Sequence, residues 1–152
     1  MKKIYIFIIV IILLLLYSCS NKTLDVSDLE KSNIAVDCDN INITVQEDTI
    51  KSSKENITLL LKNKTEYEYF YDLYFELEVE LDNQWCKVPF NKNHEFNDIG
   101  LLLKGNGVSN EEIELSKYFS DLPDGKYLIA KNFYLDGAKT VVVGLFNINK
   151  QS

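Results

Sequence analysis

The chain of 152 residues contains no arginine and a single histidine, His94, so every other cationic side chain is a lysine. That removes most of the groups from which acid–base, phosphate-binding and zinc chemistry are assembled. Two prolines and six glycines are too few for a collagen-like or low-complexity chain. Basic residues are outnumbered, giving a formal net charge of −7, and the excess grows if Lys2 and Lys3 are cleaved away. Such a surface repels a phosphate backbone, which excludes nucleic acid as a partner. No serine lies in a G-x-S-x-G run, no G-x-G-x-x-G or P-loop is present, and no two carboxylates stand out as an acid and a base. The residues support no enzyme and imply no cofactor. What the chain does have is 46% hydrophobic and 12% aromatic residues, enough for a packed core.

The apolar residues are not evenly spread. Lys2 and Lys3 precede an unbroken apolar run from Ile4 to Tyr17, followed by Ser18, Cys19 and the polar Ser20, Asn21 and Lys22. At about 1.5 Å per residue the run covers only about 21 Å, short of the roughly 30 Å of a bilayer core. A secretory signal fits this pattern better than a spanning helix. Its end, Leu16-Tyr17-Ser18-Cys19, resembles the lipobox of bacterial lipoproteins, with Tyr17 bulkier than is usual there. The resemblance implies cleavage before Cys19 and acylation (palmitate) of its thiol, which would hold the mature chain on the outer face of the cytoplasmic membrane. From Ser20 to about Asp37 the chain is polar and of mixed charge, and reads as a flexible tether with a reach of about 25 Å. The expected organisation is a signal peptide over 1–18, a lipidated cysteine and tether over 19–38, and one domain over 39–152.

Beyond Asp39 the dominant hydrophobic period is two. Leu73, Phe75, Leu77, Val79 and Leu81 fall on one side of an extended chain, with Tyr74, Glu76, Glu78 and Glu80 on the other. Comparable runs at 41–45, 57–61, 84–88, 99–103, 113–115, 126–133 and 140–148 bring the expected total to about eight strands. Asp82-Asn83, Gly105-Asn106-Gly107, Pro123-Asp124-Gly125 and Asp136-Gly137 supply turns between them. No segment sustains a 3.6-residue period, so the expected fold is all-β, an antiparallel sandwich of Greek-key type.

Leu122-Pro123-Asp124-Gly125-Lys126-Tyr127 has the form of a tyrosine corner, in which the Tyr127 hydroxyl bonds the backbone a few residues upstream. This run, together with Leu59–Thr65, Tyr74–Leu81 and Asp82-Asn83-Gln84-Trp85-Cys86-Lys87-Val88-Pro89, is similar in order and spacing to a bacterial immunoglobulin-like domain family over residues 40 to 148. Leu128 departs from the pattern, which commonly has a basic residue there. The resemblance implies an immunoglobulin-like fold in a secreted or membrane-attached protein of Gram-positive bacteria, and no particular activity.

Several groups of residues are candidates for a role. Cys38 and Cys86 remain after lipidation, and a disulfide between them would constrain the unfolded chain by about 4 kcal/mol. The strands that carry them are not neighbours in an ordinary sandwich, which favours two free thiols. Glu66, Glu68, Asp72, Glu76, Glu78, Glu80 and Asp82 share one parity and are expected to form a solvated face partnered by lysines. Carboxylates roughly 6.6 Å apart along one strand cannot wrap a calcium ion, so the alternative is a docking surface. The run Tyr67, Tyr69, Phe70, Tyr71, Tyr74 and Phe75 must expose some of its rings, giving either a protein-contact patch or a platform for sugars. Tyr67, Tyr69, Tyr71 and Tyr74, with Glu76, Glu78 and Glu80, are therefore the candidate binding residues. Trp85 is expected to anchor the core. His94, Glu95 and Asp98 are too few for zinc and are expected to lie in a solvated loop. The expected partners are the membrane, through the lipid, and an extracytoplasmic protein or peptide, with a carbohydrate or envelope polymer as the alternative.

Overall fold

The computed structural model describes residues 23–34, 39–92, 94–97 and 99–151. The proposed signal peptide, Cys19 and Cys38 lie outside these residues, and so does the pairing of Cys38 with Cys86. The described residues form ten strands: β1 (Ile41–Val45), β2 (Thr49–Ile50), β3 (Asn56–Asn63), β4 (Tyr69–Tyr71), β5 (Glu76–Leu81), β6 (Gln84–Lys87), β7 (Leu101–Leu103), β8 (Val108–Glu114), β9 (Gly125–Leu135) and β10 (Ala138–Ile148). A single helical turn, α1 (Leu115–Tyr118), separates β8 from β9.

The strands form two sheets. One is the antiparallel trio β1-β3-β8. The other runs β2-β10-β9, and the far edge of β9 is shared end to end by β5, whose Glu76–Val79 pair with Ala130 back to Tyr127, and β4, which pairs with Phe133 and Tyr134. β6 continues from β5 and β7 from β4. All pairings are antiparallel except the short parallel contact of β2 with β10. The inner faces follow the alternation read from the sequence: Ile41, Ile43 and Val45 on β1, Ile57, Leu59 and Leu61 on β3, and Tyr127, Ile129 and Phe133 on β9 are all buried. Two of the hairpins turn on two residues with positive φ, Asp82-Asn83 (50° and 62°) and Asp136-Gly137 (49° and 81°). That twist matches the twist of the flanking strands and fixes their register. The sheets come closest where β10 passes β1: a Cβ on Gly144 would lie 2.8 Å from Ile43 Cγ2 and 3.2 Å from Val45 Cγ2.

Three expectations are corrected. The strand expected over 73–81 begins only at Glu76, because residues 72–75 break the ladder. There the Asp72 carboxylate accepts from the Tyr74 N–H at 2.9 Å, a local bond that competes with strand pairing. The strand expected at 113–115 instead extends back to Val108 and ends as Leu115 enters α1. The largest correction concerns the tether. Residues 23–34 lie against the body: Thr23 bridges Asp121, Lys31 bridges Cys86, and Leu24 and Leu29 pack on the core. Backbone bonds from Leu24 N–H to Asp121, from Lys87 N–H to Glu30 and from Ser32 N–H to Trp85, at 2.8 to 2.9 Å, hold this strap in place. Its two leucines are too widely spaced to give a periodic signal, yet they bury enough surface to dock it.

Candidate functional site

The outer face of the larger sheet carries Glu76, Glu78 and Glu80 of the candidate residues. The two-residue Asp82-Asn83 turn sets Glu80 opposite Trp85, Val79 opposite Cys86 and Glu78 opposite Lys87. Cross-strand partners share a face, so Trp85 must lie outside with Glu80 while Cys86 turns inward with Val79. Trp85 is accordingly half-buried on the outer face, not an anchor of the core, and the Lys126 ammonium lies 5.3 Å from its ring centroid. Cys86 is buried, and among the described residues its thiol has no disulfide partner.

The acidic ladder divides into three environments. Glu80 pairs with Lys126 at 3.0 Å and Glu76 with Lys87 at 3.8 Å, both partly exposed. Glu66 and Glu68 are exposed on the approach to β4, and Asp82 sits in the hairpin turn. Glu78 differs from all of these. It is only 1% exposed because the strap lies across it, and its Oε1 has no hydrogen-bond partner. Burial pushes its carboxyl above the usual range, offset in part by a hydrogen bond from Ser32. Glu78 is therefore not a surface contact residue. Clefts of about 370 and 390 Å³ remain between strap and sheet, both bordered by Glu30, Tyr74, Glu76 and Lys87, with Ser32 in the first and Phe90 in the second.

The aromatic run separates by parity. Tyr69 and Tyr71 point inward and are buried, which removes them from any contact surface. Tyr71 packs on Phe133 with ring centroids 5.4 Å apart and shares a 3.2 Å hydrogen bond with Ser109 on the opposite sheet. Tyr74, in the break between β4 and β5, is half-buried and meets Phe96 edge-on at 5.1 Å. It belongs to a cluster around Phe75, which contacts Phe90, Phe96, Tyr118 and Phe119 at 5.1 to 6.0 Å. His94 stacks on Phe90 at 4.4 Å and is half-buried, so it is a packing residue and not part of a solvated loop. Asp98 lies outside the described residues. Among the described residues no group of three or more His, Cys, Asp or Glu is placed to hold a metal ion.

Phe70 and Tyr67 face out, 61% and 66% exposed, and Phe70 sits opposite Leu102 on β7, itself 41% exposed. Phe70 also faces Tyr134 on β9. Sequence reasoning missed Leu102, since nothing in the run Leu101-Leu102-Leu103 says which leucine faces out. Only the register of β7 on β4 settles it. Tyr67, Phe70, Leu102 and Tyr134 make an apolar patch beside Glu66 and Glu68 at the end of the sandwich that holds the Asp136-Gly137 turn. The arrangement offers contact area and hydrogen-bonding hydroxyls, with no nucleophile–base pair.

The corner read from the sequence is present: the Tyr127 hydroxyl donates to the Pro123 carbonyl at 2.7 Å, and its ring is fully buried against Phe146. Burial pushes the phenol far above its ordinary range. With this corner, two packed sheets and alternating inner faces in place, the family can be assigned. The sequence profile described as bacterial Ig-like domain matches residues 37–144. The chain belongs to the bacterial Ig-like domain family. No curated protein and no solved structure matches the chain. The Ig-like domain matched here spans every strand except the last few residues of β10, while the strap lies ahead of it.

Proposed function

We propose that this protein is a membrane-anchored extracytoplasmic lipoprotein whose Ig-like domain is a non-catalytic module binding a protein or peptide partner. Family membership supports a bacterial surface module, and the Leu16–Cys19 run supports the anchor. The observation that carries the binding reading is the Phe70–Leu102 pair, two large apolar side chains side by side on a sheet surface and flanked by Tyr67. Such patches on an otherwise polar surface mark contact sites. The neighbouring Glu66 and Glu68 favour a partner segment that combines apolar and basic residues. Exposed aromatic rings also suit a sugar face, and a carbohydrate or envelope polymer is the second reading.

The test has two parts. Radiolabelled palmitate should enter the wild-type chain and not Cys19→Ala; label retained in that variant removes the anchor. A photoreactive residue at Phe70 should then cross-link a discrete protein on intact cells, whereas the same residue at exposed Lys62, on the other sheet, should not. Equal cross-linking from both positions removes the patch as a binding surface. Glycan binding that is lost in Tyr67→Ala and Phe70→Ala would select the polymer reading instead.

A further inference from the structure

The strap starts at the opposite end of the sandwich from the apolar patch. Thr23 is paired with Asp121, whose carbonyl accepts the Leu24 N–H at 2.9 Å. Asp121 is itself fixed: its carboxylate accepts from Ser53 Oγ at 3.1 Å and from Lys150 Nζ at 3.0 Å on both oxygens. Those bonds hold its carboxyl below the usual range, the Lys150 ammonium contributing most. From this point the strap is docked as far as Ser32, so none of it is free to act as a spacer. Only four residue steps separate Thr23 from Cys19, and extended chain covers at most about 14 Å in that number. The tether is thus much shorter than the roughly 25 Å reach expected of a flexible coil over residues 20–37.

We infer that the docked strap turns the lipid anchor into an orienting device, and that the end of the sandwich built from Ser53, Lys54, Asp121 and Lys150 faces the phospholipid headgroups. The inference rests on the reading of Cys19 as the lipidated residue. β9 and β10 run the length of the body, 11 residues each, which places the Asp136-Gly137 turn about 33 Å farther from the membrane. Tyr67, Phe70 and Leu102 lie at that outer end. Chain length sets this orientation: Lys150 is already paired with Asp121, and exposed Lys54 adds only a salt-screened attraction to the headgroups. The partner of the inner end is a lipid surface, and the outer end is the part presented to other molecules.

The experiment uses the full lipidated chain, with Cys38→Ser, reconstituted into phosphatidylglycerol–phosphatidylethanolamine vesicles that carry a headgroup-nitroxide lipid. A small fluorophore is attached at Lys54→Cys or at Ala138→Cys, both exposed positions at opposite ends of the body. Contact quenching should be several-fold stronger at position 54 than at 138. A flexible glycine–serine insert of about 20 residues between Lys22 and Thr23, with a reach of about 25 Å, should reduce quenching at 54 to the level seen at 138. Equal quenching at both positions in the uninterrupted chain, with the protein firmly in the vesicle fraction, overturns the orientation and leaves the anchor standing. A Cys19→Ala chain that still partitions fully with membranes overturns the anchor, and the orientation falls with it.

Discussion

Lys131 and Glu111 form an ion pair in the interior of the sandwich, Nζ to Oε1 at 2.9 Å, although they belong to different sheets. Lys131 occupies an inward position on β9 between Ile129 and Phe133, and its ammonium also donates to the Tyr74 carbonyl at 3.2 Å. That carbonyl belongs to the break between β4 and β5, where strand pairing leaves it unpaired. One lysine therefore ties together both sheets and the interrupted strand. Desolvation pulls the Lys131 pKa down and pushes that of Glu111 up, and each opposes the other's shift by staying charged.

Removing one partner strands a charge in the core. Lys131→Met should lower the stability of the purified protein by about 3 to 5 kcal/mol, whereas Lys131→Met combined with Glu111→Leu should recover most of that loss. Urea unfolding with an unchanged slope is the measurement. A double variant as unstable as the sum of its parts would mean that the pair acts through the Tyr74 carbonyl and not through its charges.

Glu78 makes a prediction with the opposite cause. The folded state holds its proton more tightly than the unfolded chain does, so between the two pKa values folding takes up a proton. Stability from this group is present at low pH and is lost as pH rises from about 4.3 upward through the raised folded value. Glu78→Gln should remove that fall and make the protein more stable at pH 7, by about 1.4 kcal/mol for each unit of displacement. Glu111 contributes a fall of the same sign, so the slope should shrink without vanishing. Thermal unfolding from pH 4 to 8 reads this directly, and a variant less stable than wild type at pH 7 would show that the ionised carboxylate is needed under the strap.

Most of the framework was legible in the sequence because it rests on local signals. Period-two alternation located β1, β3, β5 and β9, and two-residue turns marked the β5–β6 and β9–β10 hairpins. The same logic, followed one step further, would have placed Trp85: a two-residue turn at Asp82-Asn83 already puts it opposite Glu80. Glu78 and the strap were not legible, since what buries Glu78 is a segment some 45 residues earlier that shows no periodic pattern. Lys131 was hidden for a related reason. A lysine in a strand reads as an outward residue, and only the tertiary position of Glu111 makes an inward one stable.

The tyrosine corner gives a cleaner test, because Tyr127→Phe deletes one hydroxyl and leaves the packing on Phe146 intact. The Pro123 carbonyl would lose its partner, and the expected loss is about 1 to 3 kcal/mol in unfolding free energy. A change within error would show that water replaces the hydroxyl at no cost.

Gly144 tests how tightly the two sheets are pressed together. It lies on the inner face of β10, between Val142 and Phe146, where the strand crosses β1. An added methyl would enter the space of Ile43 Cγ2 at 2.8 Å, and the side chains it meets are β-branched with little rotamer freedom. Gly144→Ala would ordinarily stabilise a strand by restricting the unfolded chain. Here overpacking should win, lowering stability by about 1 to 3 kcal/mol. Trimming the obstacle distinguishes this from a backbone effect: Ile43→Ala in the Gly144→Ala background should cost less than Ile43→Ala does in the wild-type chain, because the new methyl partly fills the cavity. Denaturation of the four proteins in a double-mutant cycle supplies the coupling. Strict additivity would mean that the sheets part slightly to admit the methyl, and that the glycine serves the backbone of β10 alone.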